Sequence, residues 1–160
     1  RDCLLSRGLG DVYKRQCVIR VTGQQVLDAL EWGARAVPSE NGGFLQVSGL
    51  TYEIHTGVAS SAEKDENGMF TRVSGEYRVK NVMVGGQPLE LDKTYTLASH
   101  NYMLLGHGDG YTMFDGCEVL GEDMMVDNQV LITYITTTLG GVVGEQYANP
   151  YGDGRIVAVE

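Results

Sequence analysis

The chain has 160 residues, 42% of them hydrophobic and 21% charged, with 12 Lys and Arg against 21 Asp and Glu for a formal net charge of −9. That is one domain's length with room for a sizeable core, and the composition excludes a disordered tail or a fibre. An acidic chain without a basic stripe argues against a nucleic-acid backbone as partner, and no apolar run approaches the roughly 20 residues of a membrane span.

In chain order, Arg1 to Gln16 (RDCLLSRGLGDVYKRQ) come first. This stretch resembles the in-frame translation of a transposon-based sequencing adapter. Ser6 to Gly10 and Asp11 to Gln16 match consecutive adapter bases, Arg1-Asp2 match bases upstream, and Cys3-Leu4-Leu5 fill a variable index. Excluding it leaves Cys17 to Glu160 as the biological sequence, more acidic still, and implies that the parent frame continues upstream. The lack of an apolar leader in these sixteen residues then carries no information. Cys3, Cys17 and Cys117 show no CxxC spacing and build no disulfide framework.

Cys17 to Thr22 alternates apolar and polar residues and predicts a strand. Gln24 to Ala36 places Val26, Leu27, Leu30 and Ala34 on one helical face, ended by Pro38. Ser39 to Gly43 is a turn cluster, Phe44 to Val47 a short apolar strand, and Leu50 to Thr56 a further strand. Gly57 to Thr71 reads as a surface loop or hairpin tip. Tyr77 to Val84 and Thr94 to Ser99 predict strands, the first closed by Gly85-Gly86. Asp127 is a plausible N-cap for a helix through Leu139, with Val130, Leu131, Tyr134 and Ile135 as its buried stripe. Arg155 to Val159 predicts a final strand. Strands with two packed helices and little β-α-β alternation give an α+β class with mixed sheets.

His55, His100 and His107 show no ligand spacing such as HExxH, so no metal site is expected in this chain. The paired carboxylates Asp65-Glu66 and Glu122-Asp123 read as solvated faces. Gly106-His107-Gly108-Asp109-Gly110 is neither a phosphate loop nor a dinucleotide fingerprint, and its plainest reading is a tight turn at positive φ. Phe44 and Tyr111 each follow directly on glycine. An aromatic beside backbone that lacks Cβ atoms can offer a face to a flat ligand, and two such rings can sandwich a base. Both residues also fit as core aromatics.

Three ordered strings tip the balance. VTGQQVLDALEWGAR (Val21 to Arg35), GGFLQVSGLTYEI (Gly42 to Ile54) and RVKNVMVGGQPLELDKTYTLASHNYMLLGHGDGYTMF (Arg78 to Phe114) resemble the C-terminal domain of the bifunctional metallophosphatase/5′-nucleotidase family. The resemblance implies a nucleoside-binding domain whose two clamping aromatics match Phe44 and Tyr111. Asp115 stands where a family carboxylate meets the ligand, and Gly108, Asp109 and Gly110 form the glycine loop. His107 departs from the usual Gly-Gly-Asp-Gly, and Tyr111 stands where the family often has Phe. The resemblance further implies an N-terminal metallophosphatase domain in cis holding two divalent metal ions, a nucleotide or nucleoside substrate, and a secreted, periplasmic or cell-envelope location. The fragment alone is not expected to be catalytic. An Asn-Gly-Gly-x-x-Arg-type segment that contacts ligand in the family would precede Cys17. The resemblance leaves open a parent acting on 2′,3′-cyclic nucleotides or UDP-sugars; a non-catalytic nucleoside-binding module is the alternative outside enzymes.

Overall fold

The computed structural model describes residues 14–149 and 152–160. The adapter-like stretch therefore lies mostly outside the described residues. Strand β1 (Gln16–Thr22) leads directly into helix α1 (Gly23–Ala34). Thr22 starts that helix with a capping box: its hydroxyl accepts from Gln25 N at 3.2 Å, and Gln25 Oε1 accepts from Thr22 N at 2.8 Å. Such a cap is worth about 1 kcal/mol and fixes the strand-to-helix corner.

Strand β2 (Leu50–His55), the hairpin β3 (Ala62–Lys64) and β4 (Phe70–Val73), strand β5 (Val79–Val84), the short β6 (Gln87–Pro88) and β7 (Thr94–His100) follow. A one-turn helix α2 (Asn101–Leu104), strand β8 (Glu118–Gly121), helix α3 (Asp127–Thr133) and strand β9 (Ile156–Val159) complete the order. The strands form a β7-β1-β8 sheet, a β6-β5-β2-β9 sheet and the β3-β4 ribbon. β1 is antiparallel to both neighbours, whereas β9 returns parallel to β2 with Tyr52 opposite Ile156. The α+β class with mixed sheets holds.

The alternation in β1 buries Cys17, Ile19 and Val21 against the inner face of α1, where Val26, Ala29, Leu30 and Trp32 are also buried. Tyr52, Ile54, Phe70, Val79 and Phe114 join them in one core. Gly23 is required at the corner, because a Cβ there would meet Glu90 O at 2.2 Å. Cys17 is buried and free, and Cys117 is half-buried and accepts from Gln25 Nε2 at 3.3 Å.

Two expectations are corrected. Phe44 to Val47 forms no strand; Phe44 N closes a turn onto Asn41 O at 3.0 Å, and sheet pairing starts only at Leu50. In the 57–71 stretch the hairpin alternative holds, since β3 pairs with β4 around the Asp65–Gly68 turn. The predicted long helix is α3 followed by a π-helical segment (Tyr134–Thr138), and neither contains a buried residue. Its stripe has the spacing of a packed helix, but Leu131 and Tyr134 stay exposed. Periodicity marks an apolar face without supplying the partner.

Candidate functional site

The loop after α2 is built from residues that rarely hold its backbone. His107 (φ 54), Asp109 (φ 56) and Gly110 (φ 85) all lie in the left-handed region. For a non-glycine residue this costs free energy, so the surroundings must impose it. Trp32 Nε1 donates to Asp109 O at 2.9 Å, Thr112 Oγ1 donates to Phe70 O at 2.5 Å, and Gly110 N closes onto His107 O at 3.0 Å. A Cβ at Gly110 would meet Gly68 O at 2.8 Å and Trp32 at 2.9 Å, so glycine lets the β3-β4 turn and α1 close on the loop from both sides. A Cβ at Gly108 would fall 2.1 Å from the Tyr102 ring. The loop is therefore clamped by α1, the hairpin and the ring of α2.

The structure brings the Gly42-Gly43-Phe44 and Gly-rich loop motifs together. Tyr111 donates its hydroxyl to the Gly43 carbonyl, and an added Cβ at Gly43 would lie 3.1 Å from Asp109 Cβ. It does not bring them together as two open ring faces. Tyr111 is 1% exposed, and its ring stacks on Phe114 at a centroid distance of 6.3 Å and an interplanar angle of 8°. Burial holds its hydroxyl protonated far above the ordinary phenol range. The ring expected to face a ligand is a core ring here, and its polar end fixes the turn that carries Phe44. Phe44 is half-buried and lines a shallow cleft of about 280 Å³ with Gln46, Val47, Asp153 and Arg155. Arg155 anchors this cleft by donating to Val47 O and pairing with Asp153 at 2.8 Å.

The remaining expected residues divide between the surface and the interior of the loop. Asp109 and Asp115 are exposed, His107 is half-buried, and Gly108 and Gly110 are buried. His107 Nε2 lies 3.7 Å from Asp115 Oδ1, within reach of charge but beyond a hydrogen bond. Arg35 stacks its guanidinium 3.7 Å from the Trp32 ring centroid and donates to Trp32 O at 2.6 Å. Partial burial lowers its pKa, opposed by the nearby Tyr111 and Asp109. Two carboxylates on a rigid loop suit hydroxyl and amine donors, and repel phosphate. Among the described residues no group of three or more His, Cys, Asp or Glu could hold a metal ion.

Sequence reasoning missed Trp32, Arg35, Thr112 and Tyr102 as neighbours of the loop. Trp32 was visible as the chain's one tryptophan on the predicted helix, but nothing in the sequence showed that its indole reaches a backbone 77 residues away. His55 pairs with Glu53 at 3.1 Å, and His100 caps α2 by accepting from Met103 N at 3.2 Å.

The family profile described as the 5′-nucleotidase C-terminal domain matches residues 12–116. A 5′-nucleotidase of Vibrio vulnificus is 29% identical over 115 residues, which cover 72% of this chain and 17% of that protein. The trifunctional nucleotide phosphoesterase protein YfkN of Bacillus subtilis is 30% identical over 169 residues, covering 94% of this chain and 11% of that protein. The crystal structure of a 5′-nucleotidase precursor from Thermus thermophilus superposes with a TM-score of 0.70 at 26% identity, over 92% of this chain and 25% of that one. The chain thus spans a quarter or less of the length of these relatives.

Proposed function

This chain belongs to the 5′-nucleotidase C-terminal domain family, and on that premise we propose that it positions the nucleoside part of a nucleotide for phosphoester hydrolysis by a larger parent enzyme. The clamped left-handed loop from His107 to Tyr111 supports this reading most directly. A rigid, strained loop that exposes the Asp109 carboxylate, with Asp115 exposed just after it, is preorganised for ligand rather than for packing. In this reading Phe44 supplies the ring that stacks on the base, worth about 1–3 kcal/mol. Asp109 and Asp115 accept from ribose hydroxyls or base N–H groups. His107 stands beside Asp115 at 3.7 Å. Gly108 and Gly110 allow the loop's close approaches, and Tyr111 holds the Gly43 turn from beneath.

Among the described residues no cluster of His, Cys, Asp or Glu could hold a metal ion, and in this reading both divalent ions belong to a metallophosphatase domain preceding this one in the same polypeptide. The contribution here is positioning: a held nucleoside brings the phosphate to the reacting groups without further loss of rotational freedom. The domain boundary proposed is Cys17. Lys14 to Gln16, the last of which opens β1, make their hydrogen bonds through main-chain groups that any residue provides, with one exposed side-chain ion pair from Arg15 to Asp123 at 3.9 Å, so their place at the start of β1 is compatible with foreign sequence. The family match nonetheless starts five residues ahead of Cys17. A location outside the cytoplasm is proposed, supported by the precursor named among the relatives.

The test is inhibition of the parent enzyme by free nucleosides. Competitive inhibition by a nucleoside, weakened about tenfold by Phe44→Ala, is the expected result. Inhibition by inorganic phosphate but by no nucleoside would overturn the assignment.

A further inference from the structure

Large exposed apolar side chains gather in one part of the chain. Met124 is 61% exposed, Leu131 60%, Val142 68% and Val143 56%, with Ile132 and Tyr134 also exposed. α3 and the π-helical segment after it bury no residue at all. Exposed apolar side chains this close together in the chain point to an interaction face. The segment from Met124 to Tyr147 contains Asp127 and Glu145 but no Lys or Arg. A face without cations does not suit an anionic lipid surface, where basic residues flank the apolar side.

We propose that this face is covered, in the parent protein, by the polypeptide that immediately precedes β1, whose place the adapter-like residues occupy here. The proposal rests on the reading of residues 1–16 as foreign and of the chain as part of a larger enzyme. The main chain leading into β1 already runs along the segment that leads into α3. Gln16 N donates to Met125 O at 2.8 Å, Met124 N to Gln16 O at 3.1 Å and Asp127 N to Lys14 O at 3.3 Å, while Arg15 and Val126 form an antiparallel bridge. Continued upstream, that pairing delivers the preceding chain to the start of α3. Ser6-Arg7-Gly8-Leu9-Gly10-Asp11 lacks the apolar repeat needed to cover such a face. The natural occupant is a segment with apolar side chains at helical or alternating spacing, joined to β1 without a long linker.

The test uses the parent protein expressed from its genomic codons, with Cys117→Ser as background and one cysteine placed at Leu131, Val142 or the exposed control Asp92. Iodoacetamide labelling is read at each site by peptide mass spectrometry on the monomeric fraction. Labelling at 131 and 142 slowed at least about tenfold relative to 92 is the expected result, since a covered thiol reacts only on opening. Equal labelling at all three sites in the monomer overturns the proposal and leaves the larger-enzyme reading standing. Protection found only in a dimer fraction also overturns it, and names a second copy as the occupant. A genomic frame that itself begins with the RDCLLSRGLG codons overturns both this proposal and the reading on which it rests.

Discussion

The Tyr111 hydroxyl donates to the Gly43 carbonyl across 68 residues of sequence, inside the core. One bond ties the turn that carries Phe44 to the left-handed loop that carries Asp109. The two motifs therefore form one unit, and a shift in either reaches the other.

Tyr111→Phe keeps the ring and leaves the Gly43 carbonyl without its partner. The expected cost is about 1–3 kcal/mol, the penalty for an unsatisfied buried acceptor. Tyr111→Ala also removes a buried ring packed on Phe114, with an expected cost of about 3–5 kcal/mol. Urea unfolding of the two variants checks the order; a cost-free Tyr111→Phe would mean that the hydroxyl contributes nothing, and equal costs that the ring packing adds nothing.

Gly108→Ala drives a methyl group into the Tyr102 ring. The expected loss is about 1–3 kcal/mol, as for other overpacked sites. Tyr102→Ala should restore most of it, because residues in contact couple. Gly110→Ala should find no such rescue, since its obstacles are the Gly68 carbonyl, the Trp32 ring and a positive φ. Thermal melts of the single and double variants check both statements.

How much of this was legible in the sequence differs by element. β1 and α1 were readable because local alternation and a 3.6-residue stripe fixed them, with Gly23 between. The β2-β9 pairing was not, because a parallel contact between distant strands leaves no local pattern. The stripe on α3 was read correctly as apolar and wrongly as buried. The resemblance nominated the residues of the candidate site, whereas nothing in the sequence pointed to the clasps that hold the loop. Thr112 reaches Phe70 across 42 residues, and no spacing rule encodes that.

His100 supplies a pH-dependent element. Burial is the main cause that lowers its pKa, and Nδ1 accepts from Met103 N, which requires a neutral ring nitrogen. A base with a depressed folded pKa contributes stability above its unfolded value of about 6.5, and that stability is lost as pH falls through the folded value. The melting temperature should therefore drop between pH 7 and pH 5 by more in the natural protein than in His100→Asn, which keeps a capping oxygen but does not titrate. Parallel profiles for the two proteins would remove His100 from the account.

The central claim is that this domain holds the nucleoside while the chemistry happens elsewhere in the parent. Its most direct test compares Phe44→Ala with the natural parent enzyme on a 5′-nucleotide and on p-nitrophenyl phosphate. The account predicts kcat/KM lower by about tenfold or more on the nucleotide and unchanged on the small ester. An equal loss on both substrates would contradict it.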